Sequence, residues 1–205
     1  LLMMELTRLW IGIKRFIKNL TMKNNLPSNF SCTIGIIGLG YVGLPLALAF
    51  ANAKNCSKTG KPLNRKIIGF DTNNNRINDL LKNIDSTEEF SETEIKNSSE
   101  IIFTSDKNSL FEVDIYIVSV PTPINQAKQP NLKFVKSASE YVGEAIKGRV
   151  NKKKNAPIII YESTFYPGLT EEFCVPILES FSNLTYNLID KIDTFFVGYS
   201  PERIN

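Results

Sequence analysis

Histidine is absent from this chain. Its absence excludes imidazole proton transfer, serine–histidine triads and the commonest metal ligand. Proton transfer is left to carboxylates, lysine, tyrosine, cysteine or water. Cysteine is scarce, with only Cys32, Cys56 and Cys174, and neither their number nor their spacing suits a disulfide framework or a zinc site. No metal is expected, and the expected compartment is a reducing one, the cytoplasm. No apolar run is long enough to cross a bilayer, so no membrane span is expected. Charge of one sign is not in large excess: 24 basic residues face 21 acidic ones, for a net +3. Five basic residues against Glu5 alone fall in residues 1–24, which leaves the rest about neutral. A body near neutrality gives no reason to expect a nucleic-acid partner. What is present is ordinary: 42% hydrophobic and 22% charged residues over 205 positions, the profile of a globular domain or of a domain with part of a second.

The N-terminus stands apart. Leu6, Leu9, Trp10, Ile13, Phe16, Ile17 and Leu20 fall at helical spacing with basic residues between them. One reading is a basic amphipathic helix lying on a membrane surface or a partner. The other is that residues 1–21 are upstream codons, because Met22-Lys-Asn-Asn resembles a natural start. The second is favoured, so residues 1–24 are taken as an extension that is not native and 25–205 as the domain.

From there apolar runs alternate with helical patterns. Cys32 to Ile37, Lys66 to Phe70, Ile101 to Thr104, Asp114 to Val120, Pro157 to Tyr161 and Thr194 to Gly198 read as six strands. Helices are expected over Gly43 to Ala53, Asn74 to Asn83, Phe134 to Lys147 and Thr170 to Phe181, with a polar loop or short helix across 85–99. Near-continuous apolar strands alternating with helices indicate a parallel sheet covered on both faces. The expectation is an α/β, doubly wound sheet of about six strands in the order 3-2-1-4-5-6, the Rossmann type.

Two features give that sheet a ligand. "GLGYVG" places Gly38, Gly40, Tyr41, Val42 and Gly43 between the first strand and its helix. Gly38 permits the tight turn, Gly40 lets a pyrophosphate approach the backbone, and Gly43 allows close helix packing. Asp71 ends the second strand, where a carboxylate accepts ribose hydroxyls and repels a 2′-phosphate, so NAD is expected rather than NADP. Asp71 follows Gly43 by 28 residues, more than the usual ~20. The polar stretch Asn55 to Lys66 accounts for the excess as a surface insertion. Arg76 either covers the adenine edge or sits on a helix face. "SVPTPI" and "YESTFYPG" end the next two strands, and Pro121, Thr122, Glu162, Ser163 and Thr164 are expected along the cofactor crevice. The polar run Glu162 to Thr164 follows a core strand because ligands of open α/β sheets bind beyond the carboxyl ends of the strands.

At "IGIIGLGYVGLPLA", "GFDTNNNRI", "VSVPTPI", "YESTFYPGLTEE" and "VGYSPERIN" the chain resembles the N-terminal domain of the UDP-glucose/GDP-mannose dehydrogenase family, over residues 33–205. The forms of the last two blocks resemble the branch acting on UDP-N-acetylhexosamines. The resemblance implies two oxidations of the sugar C6 alcohol to the carboxylate with two NAD⁺, for bacterial surface polysaccharide. The intermediate aldehyde would be captured by a cysteine. It also implies that Thr164 holds a catalytic water, that Glu202 serves acid/base steps on it, and that Thr122 lies against the nicotinamide half. Glu202, Arg203, Ile204 and Asn205 would contact the UDP-sugar substrate. The family's nucleophilic cysteine, with a lysine and an asparagine, comes later than residue 205. Cys32, Cys56 and Cys174 are therefore read as structural or incidental. The chain is expected to be a fragment lacking the dimerisation and UDP-binding domains, inactive alone, of a protein that is a homo-oligomer. The competing reading is a stand-alone NAD-binding module. Dehydrogenases for 6-phosphogluconate or hydroxyacyl-CoA are disfavoured, since they need not carry "YESTFYPG" or "SPERIN".

Overall fold

The strands form because β-branched runs fit a pleated surface buried on both sides. The structure, a computed structural model, describes residues 26–200 apart from 29, 99, 125–129, 151–154 and 188–192. Seven strands build one sheet: β1 (Ser31–Ile37), β2 (Asn64–Phe70), β3 (Ile101–Thr104), β4 (Ile115–Val118), β5 (Ile158–Glu162), β6 (Thr185–Tyr186) and β7 (Thr194–Ser200). Their order is β3-β2-β1-β4-β5-β7-β6, and every pairing is parallel. This is the expected 3-2-1-4-5-6 order with one addition: the two-residue β6 lies outside β7 at the sheet edge. The helices are α1 (Gly43–Asn52), α2 (Asn74–Leu81), α3 (Glu92–Asn97), α4 (Lys133–Val150) and α5 (Val175–Ser182). A 3₁₀ turn spans Lys107–Glu112, and a π turn, Thr170–Cys174, leads into α5.

Alternation of side chains sorts the core into two layers. Ile34 and Ile36 of β1, Ile67 of β2, Ile115 and Ile117 of β4, and Ile158 and Ile160 of β5 face Leu44 and Leu48 of α1, Ile77 and Leu80 of α2, and Ile95 of α3. Their neighbours Ile37, Phe70, Tyr116, Val118, Ile159 and Tyr161 face Val135, Val142 and Ile146 of α4 and Leu178 of α5. Helices on both faces, with the chain turning outward from β1 in two directions, leave a crevice where β1 and β4 part.

Local chemistry sets the helix ends. The Asn73 side chain accepts from the amides of Asn75 and Arg76 and caps α2. Ser91 and Glu94 form a reciprocal capping box on α3. Asn183, in the left-handed region at φ 59°, ends α5. The expected loop or helix at 85–99 is both: a turn around Asp85, then α3. One buried polar cluster lies at the end of the sheet where the central strands β1 and β4 begin. Asp114 accepts from the Thr33 amide at 2.8 Å and from Arg149 Nη2 at 2.6 Å, while Arg149 Nη1 donates to the Asn155 carbonyl at 2.7 Å.

Candidate functional site

The glycine turn is the hub of the crevice. Gly38 takes φ +94°, which side-chain-bearing residues rarely adopt, and its amide donates to the Phe70 carbonyl at 2.9 Å. Gly43 opens α1 so close to this turn that an added Cβ would lie 1.8 Å from the Gly38 oxygen and 2.5 Å from Ser119 Oγ. At Gly40 the same test meets no atom within 4 Å. Its missing side chain therefore faces open space, as a backbone does when a ligand must approach it. The first bond into α1 runs from the Leu44 amide to the Gly40 carbonyl at 3.1 Å. The amides just before Leu44 have no partner within the helix, and their dipole favours an anion.

Leu39, between the two glycines, is held from both sides. Its amide donates to Asp71 Oδ2 at 2.8 Å, and its carbonyl accepts from Arg76 Nε at 2.8 Å. Asp71 Oδ1 accepts from the Asn73 amide at 2.9 Å. Arg76 is buried in an ion pair with Asp85 (Nη1 to Oδ1, 2.7 Å) and donates also to Ser86 Oγ at 2.9 Å. Its Nη2 is buried without an acceptor. Asp85 additionally accepts from the Thr87 hydroxyl and from the amides of Thr87, Glu89 and Phe90. Burial pushes the Asp85 carboxyl up, but the Thr87 hydroxyl, Arg76 and the two amides of Thr87 and Phe90 outweigh it and hold the group at about 2.

A cavity of about 860 Å³ opens over this turn. Of the residues expected at the cofactor, Gly38, Gly40, Tyr41, Val42, Asp71, Pro121 and Glu162 line it. Gly43 is buried beneath it. Arg76 lies outside the lining, behind Leu39. Thr122, Ser163 and Thr164 are also outside the lining and join the loops after β4 and β5: Thr122 Oγ1 donates to the Thr164 carbonyl at 3.1 Å, and Ser163 Oγ to the Val120 carbonyl at 2.9 Å. Thr164 is exposed. Glu202, Arg203, Ile204 and Asn205 lie outside the described residues, as does the N-terminal segment 1–24.

The cavity also has residues that sequence reasoning did not single out: Asn73, Ser119, and Lys133, Phe134, Ser137 and Tyr141 of α4. Ser119 Oγ donates to the Gly38 carbonyl at 2.9 Å and so ties β4 to the glycine turn. The α4 residues had one available signal. The helix following β4 starts at the reversal of strand order, where ligands of such sheets bind.

Cys174 does not have the environment of a reactive thiolate. Cys32 and Cys174 are buried, and burial pushes the Cys174 thiol up to about 11. Cys56 lies in the Asn55 to Lys66 segment. Among the described residues no cluster suits a metal ion, and no helix is long and apolar enough to cross a membrane.

A turn that leaves Gly40 open to an anion, beside a carboxylate at the end of β2, suits a dinucleotide. Residues 32–205 match the UDP-glucose/GDP-mannose dehydrogenase family, NAD binding domain. Over 172 residues the chain is 46% identical to the UDP-N-acetyl-D-glucosamine 6-dehydrogenase of Pseudomonas aeruginosa, covering 84% of this chain and 35% of that protein. It is 44% identical over 172 residues, with the same coverage, to Protein CapL of Staphylococcus aureus. Among solved structures it is similar to a ternary complex of GDP-mannose dehydrogenase from Pseudomonas aeruginosa, with TM-score 0.69 and 22% identity over 84% of this chain and 36% of that one. That likeness speaks for the fold alone. The chain spans about a third of the length of the curated relatives it matches. It belongs to the UDP-glucose/GDP-mannose dehydrogenase family as an NAD-binding domain, and its cofactor is NAD.

Proposed function

We propose that this chain is the cofactor domain of an enzyme that oxidises the C6 alcohol of a UDP-N-acetylhexosamine to the uronic acid, for surface polysaccharide. The observation that carries the reading is the continuity of the crevice. It runs from the glycine turn and Asp71 at one end to Glu162 at the end of β5. The 46% identity to a UDP-N-acetyl-D-glucosamine 6-dehydrogenase supports the choice of sugar class.

In this reading Gly40, Tyr41 and Val42 present amides to the diphosphate, and Asp71 accepts the adenosine ribose hydroxyls. NAD⁺ supplies a two-electron acceptor at the far end of the crevice. Pro121 and Glu162 line that end; Thr122, Ser163 and Thr164 lie just outside the lining, and the bonds from Thr122 to Thr164 and from Ser163 to Val120 hold the two loops together there. The Thr164 hydroxyl orients a water. Glu202 takes and returns its proton, a step typically worth ~10²–10⁴-fold. Arg203, Ile204 and Asn205 contact the UDP-sugar. The thiol that holds the aldehyde, and most of the UDP site, belong to chain beyond this domain. The whole protein works in the cytoplasm as a homo-oligomer.

The test is stoichiometry. The protein carrying this domain at full length is expected to form two NADH per UDP-N-acetylhexosamine, and Glu202→Gln to slow turnover far more than it weakens NAD⁺ binding. The present chain alone is expected to form none. One NADH per sugar, or a Glu202→Gln enzyme with near-normal turnover, overturns the assignment.

A further inference from the structure

Arg76 and Asp85 stand outside the cavity lining, yet their geometry acts on the turn that faces it. We infer that Asp85 is a positioning residue for the cofactor: through Arg76 it fixes the peptide plane from which the Gly40 amide meets the diphosphate. The inference rests on NAD binding over the glycine turn.

A trans peptide is planar, and its carbonyl and amide point in opposite directions. Arg76 Nε draws the Leu39 carbonyl to 2.8 Å on the buried side, so the N–H of Gly40, in the same plane, points the other way. The preceding plane is locked in the same manner. Asp71 takes the Leu39 amide, and the Gly38 carbonyl on the opposite side receives Ser119 Oγ at 2.9 Å. Gly40 has no side chain to resist rotation, and its missing Cβ faces open space. Without a brace its plane would be the softest part of the turn. Arg76 can serve only if its guanidinium does not rotate. Asp85 prevents rotation with one oxygen on Nη1, and Asp85 is itself fixed by the Thr87 hydroxyl and the amides of Thr87, Glu89 and Phe90. The chain of contacts thus runs from the turn after α2, through one buried ion pair, to the phosphate end of the crevice. A pair kept for packing alone has no need to spend Nε on the second of the two peptides between Gly38 and Gly40.

The test compares NADH, which needs the turn, with adenosine, which does not reach it. Asp85→Asn removes the charge that holds Arg76 while its amide oxygen still accepts from the Glu89 and Phe90 amides. Arg76→Met combined with Asp85→Asn leaves no unpaired buried charge, so it supplies a folded variant should Asp85→Asn alone fail to fold. Thermal melts establish folding, and fluorescence and calorimetric titrations give the two dissociation constants. Each folded variant is expected to bind NADH about tenfold more weakly, equivalent to ~1.4 kcal/mol, with adenosine unchanged. The double variant is expected to be no weaker than Arg76→Met alone, because both changes remove one brace. A folded variant with unchanged NADH affinity overturns the inference, and so does an equal loss for adenosine, which would make Arg76 a direct contact. Failure of the parent chain itself to bind NADH would remove the reading beneath it.

Discussion

Gly40 and Gly43 are three residues apart in one motif, and the structure separates what each is for. Replacing Gly40 by alanine adds a methyl group that meets nothing within 4 Å. The backbone there does not have a positive φ, so alanine fits without strain. Stability should change by less than ~1 kcal/mol, or rise slightly, since alanine narrows the unfolded ensemble. The methyl group would nevertheless occupy the space through which a diphosphate reaches the turn. NADH affinity should fall at least about tenfold, or ~1.4 kcal/mol. Gly43→Ala reverses the pattern. Its methyl would sit 1.8 Å from the Gly38 oxygen, about half the ~3.5–4.0 Å at which non-bonded atoms rest. Helix α1 must move away from the turn, and overpacking of this kind typically costs ~1–3 kcal/mol. For a chain of this size that lowers Tm by about 2–12 °C at ~2–4 °C per kcal/mol. Thermal melts with and without saturating NADH, paired with fluorescence titration, separate the two effects. Gly40→Ala with parental affinity would show that the diphosphate does not pass over Gly40. Gly43→Ala with parental Tm would refute the packing argument.

Asp71 at the end of β2 predicts tighter binding of NAD⁺ than NADP⁺, and Asp71→Asn should narrow the gap; isothermal titration with both cofactors checks it, and equal affinities in the parent would count against the ribose contact. Asp85, held at about 2, stabilises the fold fully above the unfolded carboxylate value near ~3.9 and loses that contribution as pH falls towards 2. Melts from pH 5 to 2 should therefore drop more steeply for the parent than for Asp85→Asn. Arg149→Met leaves Asp114 buried without its cation and should cost ~3–5 kcal/mol, read from denaturant melts, with NADH binding per folded molecule unchanged because that pair lies where β4 begins, at the opposite end of the strands from the crevice.

The order of the six longer strands was legible because each is an apolar run with a turn after it, a trace that parallel strands in a covered sheet leave. Thr185–Tyr186 left none: two residues carry no period, and β6 exists because β7 offers an edge. The boundaries moved for a related reason. β2 begins at Asn64 rather than Lys66 because Ser31 and Cys32 of β1 pair with Asn64 and Arg65, a partnership no local pattern reveals. In the crevice, the motifs pointed to Gly38, Gly40, Tyr41, Val42, Asp71, Pro121 and Glu162, which line it, but also to Thr122, Ser163 and Thr164, which do not, and residues brought in by packing left no signal of their own. Nothing in "SVPTPI" distinguishes Ser119, whose bond to the Gly38 carbonyl depends on how β4 packs beside the glycine turn. The α4 residues Phe134 and Tyr141 read only as the apolar face of a helix. Arg76 could be placed on a helix, but its bond to Leu39 depends on how α2 docks beside the turn.

The segment between α1 and β2 lengthens the interval from Gly43 to Asp71, and it closes on itself where Asn55 bridges Pro62 in an antiparallel pair. It joins the end of a helix to the start of a parallel strand, so it projects from the edge of the sheet where strands begin, whereas the crevice lies where they end. The sheet thus has a working edge and an idle one. An added peptide, dye or surface linker at Lys58 or Gly60 would ride on the idle edge, and a chain anchored there would present its crevice outward to whatever is offered in solution.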